Sequence, residues 1–186
     1  MIICLATQVS QPLLSYYQYY PPIAEAEQEI RSLLTEPLAV RREAHRQRGS
    51  HTNIAFLHIR RGDYLKNPSL TPVLPMSYYV TAVNRLLNAN PAITKILVLS
   101  DDIKWVATQP LFQSQLFELT DYDELDSMAL MSICKGGAIL ANSTFSWWGA
   151  FLGPYEDRSP IFYPQSWIPG EIVNLFPKEW TPLPST

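Results

Sequence analysis

Short, mostly apolar, strand-favouring runs, separated by segments with helical periodicity, constrain the fold of this chain most. The strand-like runs are residues 53–60, 95–99 and 138–141, with 161–163 as a fourth. The helical segments are residues 76–88, 123–135 and 146–152. Strands that are apolar along their whole length need cover on both faces, which is typical of a parallel sheet. We therefore predict an α/β fold, a Rossmann-like parallel sheet with helices on both faces.

The remaining segments are predicted from spacing and from turn residues. Residues 23–34 have apolar side chains at helical spacing and predict an amphipathic helix. Residues 43–52 are polar, and residues 66–75 contain three prolines, so both segments are predicted to be loops. Gly136 and Gly137 follow the 123–135 segment and are expected to end that helix.

Composition excludes several classes of function. The chain has 186 residues, of which 47% are apolar, and this predicts one globular domain. A net charge of −3 argues against nonspecific nucleic-acid binding, which favours a basic surface. Cys4 and Cys134 have no metal-ligand spacing around them and predict a reducing compartment.

Localisation is predicted from the absence of two signals. The sequence contains no signal peptide and no apolar run of the ~18–20 residues that span a bilayer. We therefore expect a cytoplasmic protein, with peripheral association at the inner face of the membrane as a possibility. The basic segment 41–48 is interpreted as a solvated surface, with a membrane-surface patch as the minor alternative.

Two adjacent arginines follow the first apolar run and form the first candidate site. His58, Arg60, Arg61 and Asp63 lie at the end of the 53–60 strand, where ligands bind in a parallel sheet. Arginines there are costly unless they meet an anion, and a nucleotide diphosphate is the obvious one. The alternative is that both arginines pair with surface carboxylates.

A second polar cluster follows the 95–99 strand. Ser100, Asp101 and Asp102 can hold a metal ion, a pair of sugar hydroxyls or the edge of a base. The alternative is helix capping, with Ser100 as the N-cap and the two aspartates in the first turn. Metal binding is the weaker hypothesis, because no second acidic cluster has ligand spacing.

Small hydroxyl residues follow the 138–141 strand and form the third cluster. This cluster consists of Asn142, Ser143, Thr144, Phe145 and Ser146. Backbone N–H groups and hydroxyls at a strand-to-helix turn suit a phosphate. The alternative is an ordinary N-cap whose following tryptophans pack in the core. Neither the glycine pattern of dinucleotide-binding sheets nor a phosphate-binding Gly-Lys-Ser/Thr loop is present.

Four acidic residues stand at the start of the 123–135 segment. They are Asp121, Asp123, Glu124 and Asp126. Most are interpreted as solvated charges at a helix N-terminus. One of these carboxylates can still accept the two N–H groups of a guanine edge.

Together the three clusters resemble one family. The segment from His58 to Tyr64 is similar to the His-x-Arg-Arg-x-Asp motif of α-1,2-, α-1,6- and protein O-fucosyltransferases. The segments 100–105 and 131–150 resemble the second and third blocks of the α-1,2-fucosyltransferases, and Tyr16 to Tyr20 resembles the aromatic segment before the first block. The chain therefore resembles glycosyltransferase family eleven.

The resemblance implies a fold, a reaction and a division of the chain. It implies the C-terminal donor domain of a two-domain GT-B enzyme, which is inverting and metal-independent and uses no cofactor. The substrates would be GDP-β-L-fucose and a galactose-terminated glycan. Family members carry a longer N-terminal part, so residues 1–50 are interpreted as a remnant of that region and residues 51–186 as the GDP-fucose-binding domain.

The resemblance also suggests roles for individual residues. Arg60 is expected to bind the β-phosphate, whereas Arg61 can lock its loop through Asp63. Asp63 is expected to orient an arginine, with a role as general base as the alternative. His58 and Asp126 are candidates for the guanine or the ribose. The remaining predicted donor ligands are Ser100, Asp101, Asp102, Asn142, Ser143, Thr144, Phe145 and Ser146.

Two other functions stay open at the level of sequence. The first is a nucleotide-sugar-binding remnant without transferase activity. The second is an adhesion module built around the tripeptide Arg61-Gly62-Asp63, which would have no affinity for GDP.

Overall fold

A parallel sheet of six strands organises the described part of the chain. The computed structural model describes residues 19–69, 71–153, 159–170 and 173–185. The strands are β1 (Ile54–Ile59), β2 (Lys95–Ser100), β3 (Phe117–Thr120), β4 (Gly137–Ile139), β5 (Ile161–Pro164) and β6 (Thr181–Leu183). They lie in the order β3-β2-β1-β4-β5-β6, and every neighbouring pair is parallel.

Helices cover both faces of this sheet. The α-helices are α1 (Tyr20–Glu25), α2 (Glu27–Gln47), α3 (Met76–Ala89), α4 (Ile103–Val106), α5 (Glu124–Met131) and α6 (Thr144–Phe151). Alternate residues of β1 divide between two cores: Ala55 and Leu57 pack with α3, whereas Phe56 packs with α5 and α6. Burial on both faces explains the continuous apolar runs, and the α/β prediction is confirmed.

The strand order reverses direction beside β1. The chain builds outward from β1 to β2 and β3, then returns through α5 to β4 on the other side of β1. In open α/β sheets the crevice at such a reversal, outside the carboxyl ends of the strands, is where ligands bind. The first and third sequence clusters follow β1 and β4, so the fold brings them to opposite sides of this crevice.

Helix α2 is longer than the sequence predicted. It runs from Glu27 to Gln47 and includes Pro37, so the predicted loop 43–52 is wrong up to residue 47. Its buried face carries polar groups, among them Arg42, which donates to Ser132 Oγ at 2.8 Å and to the Leu152 carbonyl at 3.3 Å. Contacts with α5 and the end of α6 therefore stabilise a turn of helix whose sequence is polar.

Two edge strands were absent from the sequence prediction. Strand β3 is short and exposes Glu118, and β6 contains Pro182. Proline is tolerated at a sheet edge, where a missing N–H donor breaks no ladder bond. Of the aromatic segment Tyr16 to Tyr20, residues 16–18 lie outside the described residues, and Tyr20 is the first residue of α1.

Gly136 and Gly137 serve the sheet rather than a helix end. Helix α5 already ends at Met131; Gly137 is the first residue of β4, and Gly136 directly precedes it. A Cβ on Gly136 would lie 2.8 Å from the carbonyl carbon of Ile54 in β1. Gly137 has a φ of 124°, and a Cβ there would lie 2.5 Å from the carbonyl oxygen of Pro160. Close backbone packing at the start of β4 therefore requires both glycines.

None of the helices within the described ranges is both long enough and apolar enough to cross a membrane.

Candidate functional site

An open cleft of about 290 Å³ lies at the carboxyl ends of β1 and β4. Its walls are Arg60, Asp63 and Tyr64 from the segment after β1, Asn142, Ser143, Thr144 and Phe145 from the segment after β4, and Trp167. The first and third sequence clusters thus meet at the crevice where the strand order reverses.

Arg60 is the cation of this cleft and contacts two carboxylates. Its Nε lies 2.9 Å from Asp63 Oδ1 and 3.1 Å from Asp101 Oδ2. Burial opposes the charge on Arg60, but the hydrogen bond to Asp63 and the two negative charges raise its pKa overall. The same hydrogen bond lowers the pKa of Asp63. Arg60 therefore stays a cation beside the cleft, where an anion can reach it.

Asp101 shapes the turn that carries Arg60. Its Oδ1 accepts from the backbone N–H of Arg61 at 2.9 Å, and its Oδ2 accepts from that of Gly62 at 3.0 Å. A Cβ on Gly62 would lie 2.8 Å from Asp101 Oδ2, so the carboxylate fits only against glycine there. The sequence predicted Asp101 as a donor ligand, but both of its carboxylate oxygens accept hydrogen bonds from backbone N–H groups of the turn.

Arg61 faces away from Asp63, which corrects the predicted lock. Its Nε lies 3.0 Å from Asp102 Oδ2, and its guanidinium carbon lies 4.1 Å from the centre of the Trp105 ring. Asp102 also caps α4 by accepting from the backbone N–H of Trp105. Ser100 Oγ accepts from the backbone N–H of Asp102, so the N-cap is Asp102 and not Ser100. The second cluster thus supports the turn after β1, and neither Ser100 nor Asp102 lines the cleft.

One hydrogen bond ties the two sides of the cleft together. The Tyr64 hydroxyl donates to the backbone carbonyl of Asn142 at 2.7 Å. The amide of Asn142 donates in turn to the carbonyl of Pro72 at 3.0 Å, within the proline-rich loop after β1. The segment after β1 is therefore fastened to the strand-to-helix turn after β4.

The start of α6 presents hydroxyl and backbone groups to the cleft. Ser143 is the N-cap, and its Oγ accepts from the backbone N–H of Phe145 at 3.3 Å. Thr144 is exposed and lines the cleft beside Ser143. Ser146 is a correction to the predicted donor ligands: it is fully buried, and its hydroxyl bonds to the carbonyls of Ala141 and Ser143.

His58 lies beneath the cleft as a neutral, buried group. It is 3% exposed and packs against the ring of Phe145, with ring centres 5.5 Å apart. Burial, reinforced by the charge of Arg60, lowers the pKa of His58 to about 3. An uncharged imidazole under Phe145 supports the floor of the cleft, and contact with a base or ribose stays a prediction.

Asp126 contacts α2 and does not line the cleft. Its Oδ1 lies 3.3 Å from Arg41 Nε and 3.8 Å from His45 Nε2. Its backbone N–H is capped by Asp123 Oδ1 at 2.7 Å. The carboxylate predicted for the guanine edge therefore pairs with α2, which corrects that assignment.

Three residues of the site were not among the site residues predicted from the sequence. Trp105 stacks on Arg61, Tyr64 bridges the cleft, and Trp167 lines the cleft from the segment after β5. Tyr64 lies inside the first motif, so its position next to Asp63 was an available signal. Trp167 is 103 residues from Tyr64 in the chain, and only the tertiary fold brings it to the cleft.

No group of three or more His, Cys, Asp or Glu side chains that could hold a metal ion occurs among the residues described here. Metal independence stays an expectation drawn from the family.

The fold and the site together define a class. A parallel α/β sheet with an arginine-bearing cleft at its reversal point is typical of proteins that bind nucleotides at the carboxyl ends of strands. The family model described as "Glycosyl transferase family 11" matches residues 7–159, which is most of the chain. The chain belongs to glycosyl transferase family 11, and the predicted family is confirmed.

Two curated relatives support this membership. The chain is 42% identical over 127 residues to an O-antigen biosynthesis glycosyltransferase, WbnK, from Escherichia coli, covering 64% of this chain and 41% of the relative. It is 34% identical over 143 residues to an alpha-1,2-colitosyltransferase from Escherichia coli, covering 69% of this chain and 47% of the relative. The matched region spans less than half the length of either relative. No solved structure gives a significant match.

Proposed function

We propose that this chain binds GDP-β-L-fucose in the cleft between β1 and α6 and takes part in transfer of L-fucose to a terminal galactose. The product would be an α-1,2-linked fucoside, formed with inversion at the anomeric carbon. Membership of glycosyl transferase family 11 supports glycosyl transfer of the fucosyltransferase type. The observation that carries the donor is Arg60, a cation that lines the β1 side of a cleft whose other side is the hydroxyl-bearing start of α6.

In this reaction the residues of the cleft need to supply only donor binding and stabilisation of developing charge. The galactose hydroxyl attacks the anomeric carbon of fucose and gives its proton to a base, while the bond from that carbon to the β-phosphate oxygen breaks. GDP leaves with the electron pair, so negative charge grows on the β-phosphate. Arg60 is placed to stabilise that charge, which in comparable preorganised sites is worth about 2–4 kcal/mol.

The opposite wall would hold the diphosphate through neutral donors. Thr144 lines the cleft at the start of α6, where the helix dipole favours an anion. The Ser143 hydroxyl accepts from the backbone N–H of Phe145 and is hydrogen-bonded to the Tyr64 side chain, so it orders this wall of the cleft. Charge would thus come from the β1 side and hydrogen bonds from the α6 side.

A transfer assay tests the proposal. The full chain is incubated with GDP-fucose and a terminal β-galactoside, and the product is analysed by NMR for linkage and anomeric configuration. An α-1,2-fucoside that disappears with Arg60→Ala is the expected result. Because one relative is named a colitosyltransferase, GDP-linked colitose is the second donor to assay. Transfer of neither sugar, or undiminished transfer by the Arg60 variant, would contradict the proposal.

A second candidate is favoured by one observation. The matched region covers only 41% and 47% of the two relatives. The alternative is a chain that binds the nucleotide sugar without transferring it. Binding of GDP-fucose with no transfer to any galactoside would select this candidate, and transfer would reject it.

Localisation in the cytoplasm, with peripheral contact to the membrane, belongs to the same family-based proposal.

A further inference from the structure

The two carboxylates on Arg60 differ in how firmly they are held. Asp101 accepts from the backbone N–H groups of Arg61 and Gly62, and its side chain is 24% exposed. Asp63 approaches Arg60 from a 3₁₀ turn at the surface, and its side chain is 59% exposed. Both contacts reach the same Nε, at 3.1 and 2.9 Å.

Charge makes this arrangement unfavourable for an incoming diphosphate. Two carboxylates around one guanidinium leave a net negative charge at the place where the phosphate must bind. A third anion gains little from Arg60 while both carboxylates stay, because like charges in close contact repel. Departure of one carboxylate would relieve this repulsion and free the Nε of Arg60 for the phosphate.

The free-energy cost of breaking the contact with Arg60 differs between the two carboxylates. Removing Asp101 would strand two backbone N–H groups of the turn that positions Arg60, which is costly at a partly buried site. Removing Asp63 from Arg60 returns an exposed carboxylate to water, and exposed ion pairs contribute little to stability. A multiply charged diphosphate can exceed that contact, since charge-assisted bonds to arginine are strong.

We propose that the donor diphosphate binds Arg60 by exchanging with Asp63, while Asp101 stays in place as the positioning residue of the turn. This inference rests on the proposed function, because it assumes that the cleft takes a nucleoside diphosphate. Asp63 is then a displaceable counter-ion: it neutralises Arg60 in the empty cleft and opposes donor binding. Asp101 acts through Arg60 and supports donor binding.

Opposite signs follow for two isosteric substitutions. Asp63→Asn removes the competing charge and should tighten GDP binding by about twofold to fivefold, measured by calorimetry on the full chain. Asp101→Asn keeps one acceptor but loses the charge and weakens the turn, so GDP binding should fall by about tenfold. GMP, which lacks the β-phosphate, should respond less than GDP to Asp63→Asn.

Two controls separate this exchange from general charge effects. Glu118→Gln removes the same charge at an exposed carboxylate that lies 3.9 Å from Lys95, outside the residues that line the cleft, and should leave GDP affinity unchanged. In an Arg60→Ala background, Asp63→Asn should no longer tighten binding, because the contact being exchanged is gone. Thermal unfolding of each variant reports whether the fold is intact.

The outcomes assign failure to one idea or the other. Weaker or unchanged GDP binding in folded Asp63→Asn, with a wild-type chain that binds GDP, would overturn the exchange and leave the proposed function standing. A wild-type chain that does not bind GDP would overturn the proposed function and, with it, the exchange. If Asp101→Asn fails to fold, Asp63→Asn alone decides the matter.

Discussion

The two walls of the cleft differ in the groups that they offer to a bound anion: one wall is charged and the other is neutral. The segment after β1 is charged, and its arginines are held by Asp63, Asp101 and Asp102 through contacts of 2.9–3.1 Å. The start of α6 carries no formal charge and rests on a packed aromatic core. The charged wall is built from contacts between loops, whereas the neutral wall is fixed by the helix behind it.

This difference indicates what each wall contributes. A charged wall held by exchangeable ion pairs can change partners when a ligand arrives, as we infer for Arg60. A neutral wall fixed by core packing keeps its geometry with or without a ligand. Substitutions that act on one wall and not on the other are therefore the sharpest way to test the comparison.

The largest effect is expected behind the neutral wall. Trp147 is 1% exposed, stacks on Phe151 with ring centres 4.9 Å apart, and donates from Nε1 to the carbonyl of Leu175 at 2.9 Å. Trp147→Ala should lower the free energy of unfolding by about 3–5 kcal/mol, measured by urea denaturation. Trp148→Ala, at the partly exposed neighbour, should cost clearly less, and equal costs would contradict a wall built on Trp147.

Low pH should lower the stability of the fold through His58, which lies beneath both walls of the cleft. The pKa of His58 is about 3 in the folded chain, mainly because of burial, against 6.5 for a free histidine. The unfolded chain therefore takes up a proton that the folded chain refuses, so stability falls as the pH drops from about 6.5 towards 3. This histidine alone should cost about 3 kcal/mol at pH 4.

A His58→Gln variant isolates this contribution. Burial also lowers the pKa of His45 and His51, and carboxylates titrate in the same range, so the wild-type profile alone does not assign the effect. Urea denaturation from pH 7 to pH 4 should show a shallower loss of stability in the variant. Parallel profiles for the two proteins would contradict a neutral, buried His58.

A smaller effect is expected from the bond that joins the walls. Tyr64→Phe keeps the ring beside Arg60 but removes the hydroxyl that donates to the carbonyl of Asn142. The expected loss of stability is about 1 kcal/mol, because one partly buried hydrogen bond is lost. Amide hydrogen exchange should quicken in the segment after β1 and remain slow within α6. Faster exchange in both would mean that the walls depend on each other.

How much of this could be predicted from the sequence differs between sheet and site. Strands β1 and β2 are central and carry mostly apolar side chains, so their positions followed from residue type. Strands β3 and β6 lie at the edges, and with Glu118 and Pro182 they lack that pattern. The helical end of α2 depends on contacts with α5 that no local signal encodes.

The site divides in the same way. The motifs identified Arg60, Asn142, Ser143 and Thr144 correctly as residues of one cleft, because parallel strands bring their carboxyl ends together. The partners of the arginines were not predictable, since Asp101 lies 39 residues from Gly62 and reaches it only in the folded chain. Sequence alone therefore located the cleft but not the ion pairs that hold it.

The central claim is that adjacent arginines do different work: Arg60 binds the donor diphosphate, and Arg61 holds the turn through Asp102 and Trp105. The most direct test is a calorimetric titration of Arg60→Ala and Arg61→Ala with GDP, alongside the wild-type chain. We predict that Arg60→Ala loses about 1.5–3 kcal/mol of binding free energy, whereas Arg61→Ala keeps most of its affinity and unfolds more easily. Equal losses, or loss of GDP binding with Arg61→Ala alone, would contradict the account.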